Sequence, residues 1–420
     1  MKIFCSLNAV SKDQVKLKKI KRYFVNFYKK TCSFVIIKTN INFKLKITMI
    51  LFRKYAKVIA STVLISVCLF AGQAYSQKNI AAILQSTSDD ATKITGAYMK
   101  PLGDALGVYM NSGWYNTGAP HSLLGFDVTC TFNTMLVPKL NKTYNIAGLN
   151  LSNMKFATGK TAPTIFGEDK EGPTGDVIIT RAYPPIVASD TVHYSLPAGT
   201  GISMMVMPTF QIGLGLMKNT DITFRYVPKV ETPGSKITGK VSLWGVGLRH
   251  DLLQYLPGGK LIPLSLSIMG AYSQMNFGAD FPNALNPPNG VTYENGTMPV
   301  ASTYADQALN VNVKAWNVNA IISKKILMVT VYVSGGYNSS KAEYALNGTY
   351  PIPNVYFDGV HAPKPIVVDK KDPLTVTDKK LSYFKGNAGL RLNIAIITLH
   401  ADYTFGKYQT ISGGLGISFR

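Results

Sequence analysis

From about residue 201 onward the chain alternates apolar and polar residues with a period of two. In Lys325–Tyr337, Leu327, Val329, Val331 and Val333 fall on one face, and Met328, Thr330, Tyr332 and Ser334 on the other. Thr220–Pro228 sets Ile222, Phe224 and Tyr226 against Asp221, Thr223 and Arg225. Asn387–Ile394 and Thr398–Gly406 repeat the pattern: Ala388, Leu390 and Leu392 oppose Gly389, Arg391 and Asn393, and Leu399, Ala401, Tyr403 and Phe405 oppose His400, Asp402 and Thr404. Ile262–Asn276 alternates likewise, and the last segment puts Ile411, Gly413, Leu415, Ile417 and Phe419 on one face. Such alternation predicts strands with one apolar side.

A soluble sandwich would show the same period, so other features must decide between the two. The segments run to about 10–15 residues, the length of a tilted strand crossing a bilayer rather than the usual five or six. Tyr226, Tyr332, Tyr337, Tyr403, Phe405 and Phe419 cluster near strand ends, as an interfacial aromatic girdle requires. The connections at 217–220, 251–260, 324–325 and 394–395 are short or moderate, while those at 278–308 and 339–379 are long and rich in Pro, Asn and Gly. Both long loops fall on the side opposite the C-terminus, the sorting of outer-membrane barrels. The pattern predicts nine strands from about Gly201 to Phe419, preceded by Ala105–Asn116, Ser122–Leu136 and a weaker Gly148–Ala157, with 158–200 as another large external loop. The expected fold is all-β: a transmembrane antiparallel β-barrel of about 12 strands (range 10–14), both termini in the periplasm, with a short N-terminal helix.

Residues 77–104 precede this barrel (105–420). Ile80, Ile83 and Leu84 recur at helical spacing, and Pro101 with Gly103 is expected to end the helix. Such a helix sits in the lumen as a plug or packs on the rim. The Pro/Met stretch Met204–Pro208 and the pair Pro184-Pro185 read as backbone devices, since proline inside a strand marks an edge, bulge or strand start.

Upstream, residues 49–76 read as a signal peptide: basic Arg53, Lys54 and Lys57, an apolar run Val58–Gly72, and small residues Ala74 and Ser76 before a cut at Ser76–Gln77. A cut after Ala74 is the alternative. The apolar run is shorter than the ~20 residues of a spanning helix. Residues 1–48 are either an upstream over-read before a true start at Met49 or a long n-region.

This leader changes the meaning of the charge. The chain carries a net +22, but residues 1–76 hold fifteen Lys/Arg and one Asp, leaving 29 basic and 21 acidic residues beyond. The remaining basic residues form no cluster with interleaved aromatics, so nucleic acid is not an expected partner. Cys5, Cys32 and Cys68 fall in the leader, and Cys130 alone follows it, which excludes an intrachain disulfide in the processed chain.

Chemistry is sparse. No nucleophile elbow, zinc-helix motif, phosphate loop or paired-cysteine motif occurs; no enzyme activity, cofactor or metal is expected. If the apolar faces see lipid, Asp221, Arg225, Arg391, His400 and Asp402 point into the lumen, with Arg249 and Lys314 expected beside them. Charges there hold the barrel shape, or they line a weakly selective pore or a solute-binding site. The ending Gly416-Ile417-Ser418-Phe419-Arg420 resembles the aromatic signal read by barrel-assembly machinery, with Arg420 trailing Phe419 as a departure.

The stretches Pro208–Val230 and Leu243–Pro257, with Gly113–Phe126 and Pro163–Gly167, resemble a widespread family of bacterial outer-membrane barrels of unknown function, distantly like fatty-acid-transporter-type barrels. The resemblance covers most of the chain after the leader. It implies a helical plug and passive uptake of a small hydrophobic molecule. The barrel reading and its C-terminal signal make outer-membrane lipid and the assembly machinery the expected partners. The alternative is a structural or assembly component whose external loops dock surface or secretion machinery.

Overall fold

The computed structural model describes residues 83–84, 86–156, 159–183, 186–232, 238–283, 285–287, 292–293, 301–356 and 364–419. The leader, the cut at Ser76–Gln77 and the Pro184-Pro185 pair lie outside these residues.

Ten antiparallel strands among the described residues close a barrel. Numbered in chain order, they are β1 (Phe126–Leu136), β2 (Met204–Leu216), β3 (Thr220–Thr232), β4 (Thr238–Asp251), β5 (Ser265–Asp280), β6 (Ala308–Ile326), β7 (Val329–Asn347), β8 (Leu381–Ile394), β9 (Ile397–Phe405) and β10 (Gln409–Phe419). Each pairs with its sequence neighbours, and β1 closes on β10 from Phe126↔Phe419 to Leu136↔Gln409. One further strand, Leu374–Thr377, pairs with the outer part of β7. Tight turns such as Leu327–Met328 join strands at the end holding Phe126 and Phe419; Leu327 takes a left-handed φ of 54° there. The long connections all leave the other end. That between β1 and β2 carries its own sheet of Met154–Phe156, Thr174–Tyr183 and Ile186–Ser195.

Ten strands rather than about twelve follow from two corrections. Ala105–Asn116 is not a strand: helix α1 runs unbroken from Ser88 to Asn111, through Pro101. Gly148–Ala157 contributes only Met154–Phe156, which pairs outside the barrel. Proline inside a helix costs a hydrogen bond and about 3 kcal/mol, yet α1 continues because the barrel grips it. Tyr408 Oη donates to the Pro101 carbonyl at 3.1 Å. A Cβ on Gly103 would collide with Tyr344 and Ala342, and one on Gly107 with Ser340, so these glycines let the helix lie against β7. Thr87 caps the start, its Oγ1 accepting from Asp90 N at 3.1 Å.

α1 therefore lies inside the barrel, and residues 112–125 carry the chain down the lumen to β1. The start of α1 sits at the long-loop end. There the buried carboxylate of Asp90 accepts from the backbone N–H groups of Ser152 and Asn153 at 2.9 Å each. The strand termini Phe126 and Phe419 share one end as expected, but the helix begins at the opposite one.

The wall changes polarity along its length. Nearer the short turns, apolar residues face out (Ile212, Leu248, Ile322, Val331, Leu399, Ile417) and polar ones face in (Asp127, Thr129, Ser267, Asn319, Thr398). Toward the long loops the sense inverts: Met205, Met207, Leu243, Met275, Val313 and Ala342 pack around α1, while Lys240, Asn276, Asn310, Asn312 and Glu343 lie on the outer surface. Between the two zones runs an outward aromatic belt. Trp244 lies 5.6 Å from Tyr272, Trp316 5.7 Å from Tyr337, and Tyr337 5.1 Å from Phe384. An apolar outer band flanked by aromatics needs an apolar surround, so this is a membrane barrel. No described helix is long and apolar enough to cross a membrane; the strands cross.

Candidate functional site in the plugged lumen

The inner face of the strands and the plug build one site. The last turn of α1 contains no basic residue of its own, so its terminal carbonyls need donors from elsewhere. Two barrel cations supply them. Arg225 on β3 donates through Nη1 to the Met110 carbonyl at 3.2 Å and through Nη2 to Ser112 at 2.7 Å. Its guanidinium also lies 3.7 Å from the Trp114 ring centroid. Lys385 on β8 donates to the Asn111 carbonyl at 2.6 Å. Both sit at the negative end of the helix dipole, where cations are favoured.

Below this collar, Arg391 donates to Asn116 Oδ1 at 2.6 Å. Arg249 forks between Asp221 and the Thr117 carbonyl. Asp221 also accepts from His121, at 3.1 Å from its backbone N–H and 2.9 Å from Nδ1. On the neighbouring wall Tyr332 and Asn387 donate to Asp402 at 3.1 and 2.7 Å, and His400 Nε2 lies 3.0 Å from Thr131 Oγ1.

Of the seven residues expected to face the lumen, Asp221, Arg225, Arg249, Arg391, His400 and Asp402 are buried inside the barrel. Four of them hold the plug or its ion pair, and His400 and Asp402 bond to the wall alone. Lys314 is corrected: it is exposed on the outer face of β6, two residues beyond Trp316. The strand keeps its two-residue phase past the end of the apolar band, so an outward position there is polar. The expectation of a polar lumen also fails in the half nearer the long loops, where α1 supplies an apolar core.

Several functional residues escaped the pattern. Lys385 continues the inward phase Asn387, Gly389, Arg391 by one step and was legible that way. Tyr109, Trp114 and His121 lie in a stretch without period and had no such signal.

The second feature is a split in the wall. The β2–β3 ladder runs only from Leu216↔Thr220 to Gln211↔Arg225, whereas β2 pairs with β1 up to Met204 and β3 with β4 up to Thr232. Continuing the register beyond Gln211↔Arg225 sets Pro208 opposite Pro228. Neither has an N–H to donate, so the ladder cannot extend. The freed Pro208 carbonyl accepts from Tyr109 Oη of α1 at 2.7 Å. The split begins at the level of Tyr226 in the aromatic belt and lies on the long-loop side of it. Behind it lie Met205 and Met207, both buried against the plug.

No curated protein matches the chain. Among solved structures it is similar to the translocator domain of the autotransporter NalP from Neisseria meningitidis (12% identity, 78% of this chain and 97% of that one, TM-score 0.29). It is also similar to the attachment invasion locus protein Ail of Yersinia pestis (8%, 71% and 99%, TM-score 0.23) and to the outer membrane protease OmpT of Escherichia coli (8%, 70% and 97%, TM-score 0.27). Likeness at these scores carries no argument about function. The family comparison reaches further: residues 53–419 match the family of unknown function DUF6588, and the chain belongs to it.

Proposed function

We propose that this protein is an outer-membrane barrel that passes a small apolar solute passively between the external half of its lumen and the membrane, leaving or entering through the split between β2 and β3. The side-sorted loops support the outer membrane and an external position for the long loops. The observation carrying the reading is the pair Pro208 and Pro228 at the end of a short ladder, backed by Met205, Met207 and Tyr109. A flexible, methionine-lined apolar surface adapts to varied small hydrophobes. A leader cleaved at Ser76–Gln77, and Phe419 as the assembly signal, belong to the same reading. Phe419 stacks on Phe126 at 5.0 Å at the short-turn end.

Proteoliposomes containing the barrel should take up an apolar fluorescent probe faster than empty vesicles, with a charged analogue of equal size excluded. Replacing both prolines by valine restores the missing donors and should slow apolar uptake. Equal rates for empty vesicles and wild type, or for wild type and the double variant, would overturn the proposal.

A further inference from the structure

The outer face near the long loops carries an unexplained row of like charges. Lys314 on β6 and Lys341 on β7 are direct cross-strand partners, and both are exposed. Facing pairs of this kind bring Cβ atoms to about 5 Å and repel when alike in charge. The β7–β8 register ends at Ser340↔Leu381, and the exposed Lys380 directly precedes Leu381 in the chain. The Lys380 ammonium lies 5.6 Å from the Trp316 ring centroid. The nearby Lys229 and Lys240 are paired with Glu231 and Asp280. Lys314 and Lys341 have no ion-pair or hydrogen-bond partner among the described residues. Strand spacing sets these two about 5 Å apart.

Its depth is defined. The row stands two residues, about 7 Å, beyond Trp316 and the aromatic belt, where lipid phosphates lie. Beside it is an open pocket of about 370 Å³ that mixes Lys240, Asn276, Asn310, Asn312 and Glu343 with apolar residues such as Phe277 and Val311. Asn312 and Glu343 are each one pleat from Lys314 and Lys341.

We infer that this surface binds a phosphorylated glycolipid of the outer leaflet. Its phosphate bridges Lys314, Lys341 and Lys380, its sugar hydroxyls meet the asparagines of the pocket, and its acyl chains run down over Trp316 and Val318. The anion adds a direct counter-charge to a row that, among the described residues, has only the Glu343 carboxylate, one pleat away, beside it. The inference rests on the long loops being external and not on solute transport.

The test is titration of the full-length barrel in neutral detergent with bisphosphorylated lipid A, read by native mass spectrometry. Dephosphorylated lipid A and inorganic phosphate are the comparison ligands. Wild type should bind the bisphosphorylated lipid most tightly, and each of Lys314→Gln, Lys341→Gln and Lys380→Gln should weaken it about fivefold. Lys324→Gln, at the other end of β6, should have no effect. Without lipid, Lys341→Gln should melt at or above the wild-type temperature, which shows that lost binding is not lost folding. Equal binding of the dephosphorylated lipid, competition by inorganic phosphate alone at matched concentration, or unchanged binding by all three variants would overturn the assignment.

Discussion

The guanidinium of Arg225 donates to the Ser112 carbonyl at 2.7 Å, just past the end of a helix whose last turn has no cation of its own. The barrel wall thus completes the plug. Arg225→Met keeps much of the side-chain volume and removes the donors to Met110 and Ser112. The plug should dock less tightly by about 1.5–3 kcal/mol, seen as raised and noisier conductance in planar bilayers. Unchanged conductance would show that the collar does not hold the plug.

Pro208 and Pro228 define the split, so hydrogen exchange should map it. Amides of Val206 and Tyr226, whose N–H groups point across the split, should exchange faster than those of Ile212, Leu214 and Ile222, which stand in the intact ladder. The double proline-to-valine variant should protect the first group.

Asp378 gives the docked helix a pH dependence. Burial raises its carboxyl above the ordinary range; the Tyr344 hydroxyl and Lys100 partly offset this, and Asp104 on α1 adds to it. Because the folded state holds this proton more tightly than the unfolded chain, docking gains stability as pH falls through the raised value, and the gain is complete below about 3.9. Trp114 fluorescence, with Trp244 and Trp316 replaced by Phe, should report a plug released at higher temperature at pH 4 than at pH 7. Asp378→Asn should flatten that difference and raise the pH 7 midpoint.

Asp90 binds Ser152 and Asn153 at the long-loop end. The start of α1 should therefore be reachable from outside the cell. In a Cys130→Ser background, Thr87→Cys should react with an impermeant maleimide on intact cells. Tyr255→Cys, in the connection between β4 and β5, should react only after the outer membrane is breached.

From about Gly201 onward the alternation along the chain determined the nine barrel strands, their inward side over the apolar band, and the sorting of long and short loops, because a two-residue period is a local property of an extended backbone. Among the described residues it also named half of the buried acidic and basic side chains, Asp221, Arg225, Arg249, Arg391, His400 and Asp402, and missed Asp90, Asp104, Asp127, Asp378, Lys385 and His121. Tertiary structure alone decided the rest. α1 passes Pro101 because its packing on β7 through Gly103 and Gly107 outweighs the one helix bond the proline removes, with Tyr408, 307 residues away, adding a bond to the Pro101 carbonyl. Lys314 faces out because polarity inverts where the strands leave the membrane, which depends on the depth of the whole barrel. The split appears only when two prolines 20 positions apart in sequence meet in one register. Arg225, Lys385 and Arg391 acquire their partners from a segment with no period, whose place in the lumen is set by the wall around it.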